Sequence, residues 1–145
     1  RNFDQETKKF IIVLSDGVQE TGSASSGPRH NETYYTAYGY AAKGHLGNVN
    51  GNESVTVLND KLRTLCEKAK GLVGQDPDDP NAVYDDTRAV KVFTITFQLN
   101  NSTTQNLFRN CATDPNMYYN SPDNATLQTT FKDIANELMK LSLTK

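Results

Sequence analysis

The sequence predicts an α/β domain in which about three strands of a mostly parallel sheet alternate with three helices. The first observation is the five-residue apolar run of residues 10–14, which is typical of a strand buried on both faces. The second is a β-branched and aromatic run at 90–99 that lies between two amphipathic helical patterns. The third is the order strand, long excursion, helix, strand, helix, strand, helix. This order favours parallel strands joined by right-handed crossovers.

Length and charge limit the kind of protein. A chain of 145 residues is about one domain long. A net charge of −2 without a basic stripe argues against an electrostatic nucleic-acid binder. No apolar run approaches the ~20 residues of a membrane span, and no signal peptide is recognisable. Because the sequence starts at Arg1 without an initiator methionine, we expect it to be a piece of a longer protein.

The first strand is predicted to cover residues 9–15 and to end in a turn made by Ser15, Asp16 and Gly17. Ligands and metals usually bind at this carboxyl end in open parallel sheets. An isolated Ser-Asp-Gly is more often an ordinary turn. A strand this apolar is poorly suited to an exposed sheet edge, so we expect further strands that this chain does not supply.

Residues 18–52 form a long excursion without a sustained period, which is unusual inside a compact domain. Its centre, residues 34–40, is dense in tyrosine. We expect these rings to pack over a sheet end or against a neighbour.

The first helix is predicted over 54–70, with Gly71 as its C-terminal stop. Its apolar face contains Leu58, Leu62, Leu65, Cys66 and Ala69. The following acidic stretch, 75–86, lacks the ligand spacing of an EF-hand calcium loop. A solvated acidic loop is the better interpretation.

After the second strand, Ser102 and Gln105 have the spacing of a capping box and predict a short helix that Asp114 and Pro115 end. Its buried side is predicted to contain Leu107, Phe108 and Cys111. A short third strand is predicted at 117–119, and residues 121–123 start the last helix. The core stripe of that helix is predicted to contain Leu127, Phe131, Ile134, Ala135, Leu138 and Leu141.

Catalytic motifs are missing from the sequence. The segment around Ser15 is not a G-x-S-x-G nucleophile elbow, and no phosphate-binding glycine loop follows a strand. His30 and His45 could act as bases, but both lie in the excursion, where surface histidines are common. The two cysteines show no zinc spacing and are either a disulfide or two buried thiols. We therefore do not expect an enzyme; a divalent-metal-dependent hydrolase on a doubly wound sheet is the weaker alternative.

Several segments in order resemble the carboxyl-terminal part of a von Willebrand factor type A domain, and more narrowly that of TadG-like Flp pilus-assembly proteins. The resemblance implies that 1–145 is a partial type A domain, the second half of a three-layer, Rossmann-like fold whose first strands and DxSxS loop are absent from this chain. The matching segments are KKFIIVLSDG, YTAYGY, LRTLCEKAK, VKVFTITFQL, LFRNCATDPNMYYNSPD and LQTTFKDIANELMKLSLTK.

The resemblance also implies a site. Type A domains bind a divalent cation such as Mg²⁺ through three loops, and only the third-loop ligand, Asp16, matches in this chain. The metal site is therefore incomplete, and we expect no cation unless the missing half is supplied. Ser15 beside it, and Tyr38 and Tyr40, are the candidate ligand-binding residues, although the tyrosines would equally serve to cover the sheet end.

A periplasmic or cell-surface location in a bacterial envelope follows from the same resemblance, with a membrane segment only outside this chain. In that oxidising compartment a Cys66–Cys111 disulfide is expected. The implied function is a non-enzymatic protein-binding or adhesion module of Flp pilus assembly, and the alternative is a structural envelope anchor without a ligand site. The expected partner is a protein of the pilus or envelope machinery, or else the missing half-domain or a second copy along the first strand.

Overall fold

The structure is a computed structural model that describes residues 9–18, 35–40, 43–47, 54–74, 76–87 and 89–143. The described strands are β1 (Phe10–Ser15), β2 (Tyr35–Thr36), β3 (Gly39–Tyr40), β4 (Leu72–Val73), β5 (Val83–Tyr84), β6 (Lys91–Phe97) and β7 (Tyr118–Ser121). The described helices are α1 (Ser54–Ala69), α2 (Ser102–Cys111) and α3 (Asn124–Leu143), with a 3-10 turn at Pro115–Met117. The molecule is thus an α/β protein with three helices, compatible with a Rossmann-like fold.

A parallel sheet of three strands, in the order β1-β6-β7, is the centre of the fold. In its register Ile12 lies opposite Phe93, and Ile95 lies opposite Tyr119. The central strand β6 is buried from Val92 to Thr96. This strand lies at the centre of the core because it has a neighbouring strand on each side and a β-branched, aromatic sequence.

Helices cover β6 on both faces. Because side chains alternate along a strand, Thr94 points to one face, where its hydroxyl donates to the Phe108 carbonyl of α2 at 2.8 Å. Phe93 and Ile95 point to the other face and form the core with Ile134 of α3. Around β6 the described residues therefore form three layers, helix, sheet and helix.

A disulfide joins the first two helices. Cys66 of α1 and Cys111 of α2 are bonded, with their Cα atoms 5.1 Å apart. Both cysteines are buried. The bond ties together the two helices that connect β1 to β6 and β6 to β7.

Residues 19–62 form a compact unit of their own, separate from the unit of residues 1–18 and 63–145. Within it, β2 and β3 pair as a short antiparallel hairpin. The buried Thr36 closes the turn, because its hydroxyl donates to the Gly39 carbonyl and accepts from the Tyr38 amide.

The prediction that the first strand is buried on both faces is wrong for the chain as described. Phe10, Ile11, Ile12 and Leu14 are each 40–46% exposed. The reason is position: β6 pairs with one side of β1, and no strand among the described residues pairs with the other. An apolar strand therefore stands at a sheet edge.

The apolar helix faces predicted from periodicity contain more residues than the fold buries. Leu65 is 64% exposed, although its neighbour Cys66 is buried. In α3, Phe131 is 44% exposed and Ala135 is also exposed, whereas Ile134 is buried. A narrow sheet covers only part of a helix, so residues on the flank of an apolar stripe stay in contact with solvent.

Two local predictions are also corrected. Asn101, not Ser102, is the N-cap of α2, because the Asn101 side chain accepts from the Thr104 amide. The Gln105 side chain does not complete a capping box and instead donates to the Leu99 carbonyl. The third strand lies at 118–121, after the 3-10 turn that Asp114 caps, rather than at 117–119.

Candidate functional site

The turn after β1 holds two of the predicted site residues. The Ser15 hydroxyl donates to the Gly17 carbonyl at 3.0 Å and accepts from the Gly17 amide at 3.3 Å. Ser15 is thus used by its own turn. Asp16, between them, is exposed at the end of the strand.

The donors around Asp16 do not fit a complete magnesium site. Mg²⁺ takes near-octahedral oxygen coordination. Within the part of the chain that the structure describes, no group of three or more His, Cys, Asp or Glu residues is placed to hold a metal ion. The missing ligands would have to come from outside these residues.

Tyr38 and Tyr40 lie on the β2–β3 hairpin, and their side chains are 49% and 48% exposed. The Lys61 ammonium group lies 5.5 Å from the centre of the Tyr38 ring, within cation–π range. This hairpin belongs to the 19–62 unit, whereas the Asp16 turn belongs to the other. Each is therefore a candidate surface within its own unit.

Of the two histidines that could act as bases, the structure describes only His45. His30 lies outside the described residues. His45 lies in the 19–62 unit, next to Gly39 of the hairpin.

Sequence reasoning missed a cavity at the carboxyl ends of β6 and β7. The cavity has a volume of about 320 Å³, near the lower end of the range for small-ligand sites. It is lined by Gln98, Leu99, Asn100, Gln105, Asn120 and Pro122. The available signal was the amide-rich Gln98–Asn101 segment directly after a predicted parallel strand, which is where ligands usually bind.

Internal hydrogen bonds fix part of the cavity wall. The Gln105 amide nitrogen donates to the Leu99 carbonyl at 2.7 Å. The Asn120 side-chain oxygen accepts from the Thr96 hydroxyl at 3.2 Å. Gln98 has a positive φ of 50°, and its amide donates to the Ser121 carbonyl at 2.9 Å. A residue other than glycine with a left-handed backbone conformation often occurs at a binding site.

The acidic segment of residues 76–82 is a solvated loop, as the sequence indicates, whereas Val83 and Tyr84 of the predicted 75–86 loop form strand β5. Asp76 and Asp79 are exposed, and each accepts the amide two residues further along the chain. Asp78 pairs with Arg63, and the hydrogen bond from that guanidinium lowers the pKa of the Asp78 carboxyl. These carboxylates are used in turns and a surface ion pair.

Burial raises the pKa of Tyr119 on β7, with smaller contributions from the Asp133 and Glu137 carboxylates of α3. Phe131 and Met139, also on α3, are 44% and 55% exposed.

Among the described residues, no helix combines the length and the hydrophobicity that a membrane span requires. Comparisons with family models, with curated proteins and with solved structures found no match.

Proposed function

We propose that this chain is the carboxyl-terminal half of a type A-like domain and acts as a non-enzymatic protein-binding module in a bacterial Flp pilus-assembly system. The observation that carries the proposal is the apolar edge strand β1, whose side chains are exposed on both faces of the sheet.

An edge of this kind is unusual for a strand that meets only water. Soluble proteins protect sheet edges with charges, prolines or bulges. Residues 10–14 carry neither a charge nor a proline. Covering Ile11, Ile12 and Leu14 would remove about half of each side chain from water and contribute about 1 kcal/mol per residue.

The occupant that fits this edge is a β-strand of another polypeptide segment. The edge offers main-chain groups in strand geometry, and in the described chain β1 is paired on one side only. A strand added along the other side would satisfy those groups and pack apolar residues on both faces. We assign that strand to the missing half of the domain within the envelope machinery.

The disulfide is compatible with the proposed periplasmic or surface location. Under this proposal, a divalent cation would be held by Asp16 only when the missing half adds its ligands. A structural envelope anchor remains the second candidate, because the Ser15–Gly17 turn needs no ligand for its own hydrogen bonds.

Binding of the immobilised chain to purified proteins of the Flp pilus machinery, including the amino-terminal part of the parent protein, tests the proposal. Ile12→Lys should weaken binding about ten-fold or more, because a buried lysine would oppose strand addition. Val83→Lys is the matched control, since Val83 is also an exposed apolar strand residue, 62% exposed, but on the β4–β5 hairpin. Equal binding by the Ile12→Lys variant would contradict the proposal.

Two further measurements separate the alternatives. Asp16→Ala should abolish partner binding without unfolding if the Asp16 turn is a ligand surface, and should leave binding intact in a structural anchor. Sedimentation of the isolated chain should show a monomer of 16.1 kDa. A dimer lost in Ile12→Lys would instead assign the edge to a second copy.

A further inference from the structure

The cavity of about 320 Å³ beyond β6 and β7 has a neutral, amide-rich lining. Its lining residues include four carboxamide side chains: Gln98, Asn100, Gln105 and Asn120. Leu99 and Pro122 supply the apolar part. No lysine, arginine, aspartate or glutamate is among these described lining residues, so a charged ligand would find no opposite charge there.

Two of these carboxamides have one atom already in use. Gln105 donates through its nitrogen to Leu99, which leaves its side-chain oxygen as an acceptor. Asn120 accepts through its oxygen from Thr96, which leaves its side-chain nitrogen as a donor. Each of these two side chains is therefore held by one hydrogen bond, and its other amide atom has no hydrogen-bond partner among the described residues.

The other two carboxamides are open at both atoms. The side chains of Gln98 and Asn100 make no hydrogen bond within the described chain, and both residues are exposed. Each carboxamide can donate and accept at the same time. The backbone of Gln98 is left-handed, and its main-chain N–H donates to the Ser121 carbonyl. The direction in which the Gln98 side chain leaves the backbone is therefore fixed.

We propose that this cavity binds an extended peptide segment of a protein partner through the main-chain groups of that segment. A peptide unit is neutral and carries one N–H donor and one C=O acceptor, which is the complement of a carboxamide. The apolar surface of Leu99 and Pro122 suits a small side chain of the peptide. A saccharide would also find donors and acceptors, but the described lining residues include no aromatic ring on which a sugar could stack.

This inference rests on the proposed protein-binding function and adds to it a second contact with the same class of partner. The two surfaces can be tested independently. β1 offers a strand edge, whereas the cavity lies beyond the carboxyl ends of β6 and β7.

NMR titration of the ¹⁵N-labelled chain tests the inference. The probe is the blocked peptide N-acetyl-Ala-Ala-Ala-N-methylamide, which is uncharged and offers little beyond its main chain. We expect saturable millimolar shifts of the side-chain amide signals of Gln98, Asn100 and Asn120. The Ile12→Lys variant should bind this peptide as the wild type does, so a failure of the β1 proposal would not be mistaken for a failure here.

The double variant Gln98→Gly/Asn100→Ala should bind about ten-fold more weakly. Glycine is chosen at residue 98 because it accepts the positive φ, so the variant removes the carboxamide without adding strain. Asn136→Ala is the matched control, since Asn136 is exposed on α3 outside the cavity lining. Its affinity should equal that of the wild type.

Three results would overturn the inference. They are the absence of saturable shifts with the peptide, equal binding by the double variant, and saturable binding of N,N′-diacetylchitobiose in place of the peptide. The last result would assign the cavity to a saccharide.

Discussion

The Thr94 hydroxyl of β6 donates to the main-chain oxygen of Phe108 in α2 at 2.8 Å, and both residues are buried. This bond joins the central strand to one helical layer. Thr94→Val keeps the shape of the side chain but removes the donor. We expect the free energy of unfolding to fall by about 1 kcal/mol, since the Phe108 carbonyl keeps its bond from the Ala112 amide. Urea unfolding followed by circular dichroism measures this change.

Thr129→Val is the control for Thr94→Val. Its hydroxyl also donates to a main-chain oxygen, that of Ala125, but on the exposed side of α3. Water can replace that bond, so the change should stay within about 0.5 kcal/mol. Equal effects of the two substitutions would show that burial gives the Thr94 bond no larger contribution to stability than an exposed bond of the same kind.

The Cys66–Cys111 disulfide closes a loop with a sequence separation of 45 residues. Loop-closure entropy for this length predicts a stabilisation of about 4 kcal/mol relative to the open chain. The variant Cys66→Ala/Cys111→Ala should therefore unfold at a much lower urea concentration. Reduction of the wild type should produce a similar loss, and alkylation followed by mass spectrometry should find no free thiol before reduction. Two alkylated thiols in the native protein would contradict the bond.

Ile134 and Phe131 both belong to the predicted apolar stripe of α3, but only Ile134 is buried. Ile134 is 1% exposed and packs against Phe93 and Ile95, so Ile134→Ala should cost about 2–5 kcal/mol. Phe131 is 44% exposed, so Phe131→Ala should cost clearly less, although phenylalanine is the larger side chain. Thermal unfolding of both variants ranks them. A larger loss for Phe131→Ala would show that this ring has a covering neighbour in solution.

The helices and the two longer strands could be predicted because local pattern determines them. The apolar period and the stop at Gly71 predict α1, and the run around Phe93 predicts β6. Burial depends instead on neighbours in space. Leu14 and Ile95 have similar sequence surroundings, yet Leu14 is 44% exposed at the edge and Ile95 is fully buried in the centre.

The Asp16 turn could be found from sequence because the residues adjoin in the chain. The carboxamide cavity could not, because Gln98 and Asn120 come from segments that only the parallel pairing of β6 and β7 brings together. The Asn101 cap was likewise hidden, since Asn101 and Ser102 are both good capping residues. The structure distinguishes them, because the Asn101 side chain accepts from the Thr104 amide.

Ionisation of Tyr119 should make the free energy of unfolding depend on pH in the alkaline range. Its pKa is raised in the folded protein above the ordinary value of 10.0, first by burial and then by Asp133 and Glu137. Above pH 10 the unfolded chain loses the proton while the folded chain keeps it, so stability falls as pH rises towards the folded pKa. Tyr119→Phe should leave stability near pH 7 about unchanged and should reduce the loss above pH 10. Urea unfolding at several pH values tests this, and equal slopes for variant and wild type would contradict it.

Gly71 and Gly74 allow backbone strain to be separated from a steric clash. Both have a positive φ, 106° and 112°. A Cβ at Gly71 would lie 2.6 Å from the Asp85 carbonyl oxygen, whereas at Gly74 it would meet nothing within 4 Å. Gly74→Ala should cost only the strain of the left-handed backbone, about 1 kcal/mol.

Gly71→Ala should cost about 3 kcal/mol, because the main chain at Asp85, directly after β5, must also move. That movement would disturb the 2.9 Å bond from the Asp85 amide to the Gly71 carbonyl, which holds the end of α1 against β5. Hydrogen exchange of the Asp85 amide should therefore accelerate in Gly71→Ala and stay unchanged in Gly74→Ala. If both variants lost the same stability, strain alone would explain the glycine at residue 71, and the contact with Asp85 would have no separate role.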